Sequence, residues 1–139
     1  ETSDPGTLMI TGPTGLGKTH LAVATARECR TPRLMFAYLP ALVDMLREYT
    51  DEAFLRATTC DLLVLDDLGA ERESAFGQEK LEHLVNVRWS ERRPMIITKN
   101  RSLNAMTKTL GEPLIRRLVS ATRIAVELDG DYHERAAGV

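Results

Sequence analysis

The stretch Gly12-Pro13-Thr14-Gly15-Leu16-Gly17-Lys18-Thr19 decides the fold. It matches the pattern GxxxxGK followed by Ser or Thr, and it lies between the apolar run Leu8-Met9-Ile10 and a segment with helical character. A strand, a glycine-rich loop and a helix in this order are typical of phosphate binding, because loop N–H groups and the helix N-terminus then surround the phosphate. The stretch therefore predicts a phosphate-binding loop.

The residue types in this loop predict how it would hold a nucleotide. Its glycines would adopt positive φ and let the backbone approach phosphate oxygens. Lys18 would reach the β and γ phosphates, and the Thr19 hydroxyl would bind a Mg²⁺ ion that bridges them. We therefore expect ATP or ADP with Mg²⁺ as cofactors. The expected nucleotide-binding residues are Gly12, Pro13, Thr14, Gly15, Leu16, Gly17, Lys18, Thr19 and His20.

Length and composition are those of an ordinary globular domain. The chain has 139 residues, 43% of them hydrophobic and 27% charged, with a formal net charge of −2. We expect one domain over residues 1–139. No apolar run could span a bilayer and the acidic, polar N-terminus is unlike a signal peptide, so we expect a cytoplasmic location and no membrane partner. Cys29 and Cys60 lack disulfide or zinc-ligand spacing, and we expect both to be reduced and buried.

Five apolar runs of strand length alternate with segments of helical period. This alternation predicts an α/β fold, and continuous apolar runs favour a parallel sheet that is covered on both faces. The predicted strands are 8–10, 34–38, 62–65, 95–97 and 124–128, and the predicted helices are 18–30, 41–58, 74–92 and 102–121.

Two details of the helical segments can be read from the sequence. Gly111 and Pro113 should divide the last segment into two helices. In the third segment, Trp89 shares one helical face with three aliphatic residues, so we expect Trp89 to lie in the core. These aliphatic residues are Leu81, Leu84 and Val85.

Polar residues follow two of the predicted strands. Asp66 and Asp67 come directly after Leu62–Leu65, where a carboxylate pair can hold a metal ion and orient an attacking water. We predict that Asp66 ligates Mg²⁺ through water and that Asp67 is the base or water-positioning group; a turn or helix cap is the alternative. Asn100, after the fourth strand, could hydrogen-bond a γ-phosphate or simply form a turn.

Charge is unevenly distributed along the chain. Residues 51–83 are mainly acidic, whereas residues 88–123 are mainly basic. The basic stretch would form a phosphate-contacting face if several of its side chains point the same way, and otherwise a set of solvated helix faces. Its cationic residues are Arg88, Arg92, Arg93, Lys99, Arg101, Lys108, Arg116, Arg117 and Arg123.

Together these motifs resemble the AAA+ ATPases, and within them the helicase-loader group typified by DnaC and DnaI, with the transposition helper IstB as close kin. The resemblance covers nearly the whole chain and is carried by residues 12–22, 61–71 (Asp61-Leu62-Leu63-Val64-Leu65-Asp66-Asp67-Leu68-Gly69-Ala70-Glu71) and 94–100. It implies a three-layer P-loop NTPase fold with a five-stranded, mostly parallel sheet and no C-terminal lid.

The resemblance also implies roles for single residues. Asp66 and Asp67 would be the Walker B pair, and Asn100 would be sensor 1. Arg117 takes the position of the arginine finger, and Arg116, where the family usually has a small residue, could share that role. The implied catalytic residues are therefore Asp67, Asn100 and Arg117, and the implied metal ligands are Thr19 and Asp66.

The function that the resemblance implies is ATP hydrolysis in a loader of a replicative helicase, acting on single-stranded DNA during replication. Expected partners are a hexameric helicase, bound through an N-terminal segment that we expect outside this chain, single-stranded DNA, and further copies of the chain that supply the finger in trans. The alternative is an IstB-like ATPase helper of DNA transposition, which coats duplex DNA. A small-molecule kinase and a nucleotide-gated scaffold with little hydrolysis are the other classes considered.

Two further hypotheses concern DNA contact. Residues 41–58, which include Arg47 and Arg56, occupy the place where initiator-type relatives carry DNA-tracking helices. Four aromatic side chains could stack on bases, although we expect them to pack in the core. They are Phe36, Tyr38, Tyr49 and Phe54.

Overall fold

The computed structural model describes residues 6–13, 15, 17–48, 50–70 and 74–129. Helices and strands alternate within these ranges, as the sequence predicts. The strands are β1 (Thr7–Thr11), β2 (Leu34–Tyr38), β3 (Leu62–Leu68), β4 (Met95–Lys99) and β5 (Thr122–Glu127). The helices are α1 (Lys18–Glu28), α2 (Leu39–Glu48), α3 (Thr50–Thr59), α4 (Ala75–Ser90), a 3₁₀ turn (Asn104–Met106), α5 (Thr107–Leu110) and α6 (Glu112–Ala121).

The five strands form one sheet in the order β2-β3-β4-β1-β5, and all four neighbouring pairs are parallel. This confirms the predicted α/β fold with a parallel sheet. Because the strands run in one direction, the residues that follow β1, β3 and β4 meet at the same edge of the sheet. The order of the strands therefore brings the glycine-rich loop close to the end of β3, although β1 and β3 are far apart in sequence.

Helices cover the two faces of the sheet unequally. On one face, α2, α3, α4, α5 and α6 supply buried side chains to the larger core cluster. On the other face, α1 contributes Ala22 and Ala26 to a smaller cluster with Ile10, Val64 and Ile96. Central β4 is buried along its whole length, whereas edge strand β2 alternates between exposed and buried residues.

The edge strands correct the expectation that both faces of the sheet are covered throughout. Leu34, Phe36 and Tyr38 lie on the α1 face of β2 and are 40–47% exposed, and Ile124 of β5 is 61% exposed. One helix is too narrow to shield five strands spaced about 4.8 Å apart. Phe36 and Tyr38 are therefore not core residues, Phe54 packs partly buried against the core, and Tyr49 lies outside the described residues.

The prediction that Trp89 lies in the core was wrong. Leu81, Leu84 and Val85 are buried as expected, but the fourth buried residue on this side of α4 is Arg88, and Trp89 is 44% exposed. Arg88 can be buried because its guanidinium satisfies main-chain carbonyls: Nη1 donates to Ala57 O (3.0 Å) and Cys60 O (2.8 Å), and Nη2 donates to Pro94 O (2.8 Å).

Smaller differences concern helix ends and one cysteine. The segment predicted as one helix over 41–58 forms two, α2 and α3. The last segment divides at Gly111, as predicted, where φ is 89°. Cys60 is buried, but Cys29 is exposed because it caps the end of α1 rather than facing the sheet, so the expectation of burial was wrong for Cys29.

Candidate nucleotide-binding site

The glycine-rich loop joins β1 to α1 and lies at the carboxyl edge of the sheet. Gly17 is the N-cap of α1 and has a φ of 83°, which L residues with a side chain rarely adopt. Gly15 likewise has a φ of 88°, but Gly12 does not, which corrects the expectation of positive φ at all three. Gly12 is required for a close approach instead, because a Cβ there would lie 2.9 Å from Leu128 O.

Lys18 and Thr19 begin α1 and point to different partners. The Lys18 ammonium donates to Pro13 O at 2.9 Å, and the side chain is buried. Thr19 Oγ1 donates to both carboxylate oxygens of Asp66, at 2.8 and 3.1 Å. The loop and the end of β3 are therefore in direct contact, across 47 positions of sequence.

Asp66 is held from a second side by β4. Thr98 Oγ1 donates to Asp66 Oδ1 at 2.8 Å and accepts the backbone N–H of Asp67 at 2.9 Å. Asp66 is 6% exposed and Thr98 fully buried, so both carboxylate oxygens have fixed positions. Sequence reasoning missed Thr98. The available signal was a polar residue directly after the apolar run Met95-Ile96-Ile97.

Asp67 adopts a conformation that few residues other than glycine adopt. Its φ is 67°, and the register between β3 and β4 shifts between Leu65 and Leu68, so the strand bulges here. Asp tolerates this left-handed region better than most residues, but the strain still amounts to about 1 kcal/mol or more. Because of the bulge, Asp67 does not follow the alternation of side chains between the two faces of the strand, and its side chain is partly exposed.

Lys99 is a second residue that the sequence analysis did not assign to the site. It is 5% exposed, its ammonium donates to Thr11 Oγ1 (2.6 Å) and Arg101 O (3.0 Å), and its carbonyl accepts the N–H of Gly12 (3.1 Å). Burial lowers the pKa of Lys99 below its usual value, and the charge of Glu127 opposes this effect. Lys99 thereby joins the end of β4 to the start of the loop.

The other expected nucleotide-site residues are at the same edge of the sheet or outside the described residues. Asn100 follows β4 and is exposed, and His20 lies in the first turn of α1, also exposed. Thr14 and Leu16 of the loop, and Glu71 of the third-strand motif, lie outside the described residues.

The two arginines considered for the finger role have different surroundings. Arg117 Nε donates to Asn86 Oδ1 at 3.0 Å, and its guanidinium lies 3.9 Å from the centre of the Trp89 ring. Arg116 is exposed and pairs with Glu112 one turn earlier in α6. Arg117 therefore has a defined orientation on the surface of α4 and α6, whereas Arg116 is a solvated helix residue.

The donor set at the loop fits a nucleotide with Mg²⁺. Mg²⁺ binds oxygen ligands, and the Thr19 hydroxyl and Asp66 carboxylate supply them at hydrogen-bonding distance from each other. The space beside Gly17 is open with respect to the described residues, since a Cβ there would meet none of their atoms within 4 Å apart from the chain neighbours. No helix among the described residues is both long and apolar enough to cross a membrane.

Comparisons with known proteins identify an ATP-binding family. Residues 2–129 match the family described as IstB-like ATP binding protein. The chain is 27% identical to the replicative helicase loader DnaC of Escherichia coli, over 94% of this chain and 57% of that protein. It is 26% identical to a protein named as an ATP-binding protein in an insertion sequence of Mycobacterium tuberculosis, over 88% of this chain and 53% of that one.

The fold also matches a solved structure. The crystal structure of the DnaC helicase loader superposes with a TM-score of 0.78 at 27% identity, covering 92% of this chain and 82% of that chain. This chain spans little more than half the length of the curated relatives named above. The chain belongs to the IstB-like ATP-binding family and has the AAA+ P-loop fold of the DnaC helicase loader.

Proposed function

We propose that this chain binds ATP with Mg²⁺ and hydrolyses it, as the ATPase domain of a replicative helicase loader that acts on single-stranded DNA. The observation that carries the proposal is the hydrogen bond from Thr19 to Asp66, which joins the phosphate-binding loop to the acidic end of β3. A hydroxyl and a carboxylate that lie together at the N-terminus of a helix are suited to bind the Mg²⁺ ion of a nucleotide.

The chain's own residues would divide the work as follows. Gly15 and Gly17 would bring backbone N–H groups to the phosphates, and Lys18 would contact the β and γ phosphates. Gly12, whose N–H donates to Lys99 O, would instead shape the start of the loop. Thr19 and Asp66 would hold Mg²⁺, which supplies positive charge to the phosphate oxygens. The residues proposed for the reaction itself are Asp67, which would position the attacking water, Asn100, which would contact the γ-phosphate, and Arg117, which would act on a neighbouring subunit.

Phosphate-release assays with Lys18→Ala as the inactive control test this proposal. We expect Mg²⁺-dependent hydrolysis of ATP by the wild-type chain, lost with EDTA and in the variant. Nucleotide binding without any turnover above the variant would contradict the enzymatic part. Turnover that depends on a small acceptor molecule would instead indicate a kinase.

The loader role is tested separately from hydrolysis. The relative named as a helicase loader supports it, and we expect the full-length protein to bind a hexameric helicase and single-stranded DNA. An ATPase helper of transposition is the second candidate, favoured by the relative in an insertion sequence and by the family match. Preference for duplex DNA, ATP-dependent filaments and no helicase binding would select the second candidate.

A further inference from the structure

Arginines converge at the edge of the sheet that lies opposite the phosphate-binding loop. A cavity of about 360 Å³ opens there between the start of β1, the start of β4 and the end of α4. None of the described residues that line the cavity is acidic. The lining includes Trp89 and four of the nine cationic residues of the basic stretch. These four are Arg88, Arg92, Arg93 and Arg123.

Arg88 and Arg93 form the inner part of this cluster. Both are tied to the end of α3, since Arg88 donates to Ala57 O and Cys60 O and Arg93 Nη1 donates to Thr59 O at 2.8 Å. Arg88 also donates to Cys60 Sγ at 3.4 Å, and its buried Nε has no hydrogen-bond partner among the described residues. Burial lowers the pKa of Arg88, and its contact with Cys60 opposes this effect. The inner cluster therefore holds two guanidinium groups, and of these Arg93 also pairs with Glu91, whose Oε1 lies 3.2 Å from the Arg93 Nε.

Arg92 lies at a position where glycine would be less strained. It directly follows the C-cap Glu91 of α4 and has a φ of 56°, in the left-handed region that helices usually end with glycine. An L residue with a side chain is strained there. A cation at the carboxyl end of a helix is favoured by the helix dipole, as at Arg30 after α1, but Arg92 in addition lines the cavity.

Trp89 adds a feature that a site for a free anion would not need. The residue is 44% exposed and lines the same cavity, and the Arg117 guanidinium lies against its ring. A positively charged groove with an exposed aromatic ring is the combination that binds single-stranded nucleic acids, because phosphates take the charge and bases stack on the ring.

We propose that this cavity, with the exposed Arg92 and Arg123 at its mouth, Arg93 further inside and Trp89 beside it, binds a backbone phosphate and an adjacent base of a single nucleic-acid strand. We name this the arginine cavity. The inference rests on the proposed function only in taking single-stranded DNA as the partner. It places that contact at the amino ends of the strands, away from the nucleotide and outside residues 41–58.

The test uses Trp89 as a reporter, because it is the only tryptophan in the chain. Trp89 fluorescence and the anisotropy of a labelled oligothymidylate of about 15 nucleotides are measured without nucleotide, in the Lys18→Ala background so that the loop does not contribute. We expect saturable quenching by the oligothymidylate, and little quenching by inorganic phosphate at the same phosphate concentration.

Arg92→Gly is the decisive variant because it removes the charge without straining the fold. We expect it to weaken strand binding about fivefold and to reduce the salt dependence by about 0.7 in log–log slope, as for one lost phosphate contact. Its melting temperature should stay the same or rise. The matched control is Arg30→Gly, which removes an exposed arginine from the equivalent left-handed position after α1, outside the cavity, and should leave binding unchanged.

The remaining outcomes are as follows. Equal binding by Arg92→Gly and Arg30→Gly would overturn the proposal, as would quenching by inorganic phosphate as strong as by the strand. Tighter binding of duplex DNA would overturn the stacking role of Trp89. If the Lys18→Ala protein binds no DNA while the wild-type chain hydrolyses ATP, this inference is overturned. The proposed ATPase activity is then unaffected.

Discussion

Thr98 donates a hydrogen bond of 2.8 Å to Asp66 and at the same time accepts the backbone N–H of Asp67. One buried hydroxyl on β4 thus sets the positions of both acidic residues at the end of β3. The carboxylate that we propose for the metal and the one that we propose for water therefore depend on a neighbouring strand rather than on β3 alone.

Replacing Thr98 by Val should damage the site and the fold together. The substitution keeps the shape but removes one of the two hydrogen bonds to Asp66 Oδ1 and leaves the backbone N–H of Asp67 without its partner, which costs about 1–3 kcal/mol. Because the acidic residues would shift, we expect ATP hydrolysis to fall by about tenfold or more. Urea unfolding and phosphate release measure the two effects, and Thr98→Ser, which retains the hydroxyl, should restore most of both. A fully active Thr98→Val protein would contradict this role.

Asp67→Asn should separate catalysis from stability. Asn tolerates the left-handed backbone of residue 67 as Asp does, so we expect the free energy of unfolding to change by less than about 0.5 kcal/mol. Loss of the carboxylate should abolish single-turnover hydrolysis while a fluorescent ATP analogue still binds. Undiminished turnover would show that another residue positions the water. Asp67→Val, which is β-branched, should in contrast destabilise the fold.

Arg117 should act on a neighbouring subunit if it is the finger. We expect Arg117→Ala to lower hydrolysis by about 10³-fold in the assembled state. Asp67→Asn retains Arg117, and Arg117→Ala retains Asp67, so mixing the two inactive variants should recover part of the activity. No recovery, with both variants folded and assembled, would argue against a finger supplied in trans.

The contact between Arg117 and Trp89 gives a structural control for that experiment. Loss of the stacked guanidinium should cost about 0.5–1 kcal/mol and change the fluorescence of Trp89. Arg116→Ala, on the solvated side of the same helix, should change neither fluorescence nor activity by a comparable amount.

Lys99 should make the free energy of unfolding depend on pH in the alkaline range. Burial lowers its pKa in the folded state, so between that value and the ordinary lysine value the unfolded chain binds more protons than the folded chain. The contribution of Lys99 to the free energy of unfolding therefore increases with pH across that interval. Lys99→Met should be more stable than wild type near neutral pH, with the difference shrinking as the pH approaches about 10. Parallel pH profiles from chemical denaturation would contradict this interpretation.

The sequence predicted most of what depends on neighbouring residues. The glycine-rich loop, the five strands and the break at Gly111 follow from local patterns, and the structure has each of them. Burial was less predictable, as Arg88 and Trp89 show. Helical periodicity predicts that the apolar Trp89 is buried and the polar Arg88 is exposed. Instead, carbonyl oxygens of α3 and of the loop before β4 accept hydrogen bonds from Arg88, which lets it be buried. Trp89 lies outside the face of α4 that is buried.

By itself, the sequence determined the strand, loop and helix that form the phosphate-binding loop, and the parallel sheet that carries it, because these depend on short-range periodicity and on glycine geometry. Only the tertiary structure decided which distant side chains meet. The family resemblance already implied that Thr19 and Asp66 share a metal ion, but the order β2-β3-β4-β1-β5 adds Thr98 to Asp66 at one edge and gathers Arg92 and Arg123 at the other. Those meetings depend on strand order and register, which no local pattern in the chain encodes.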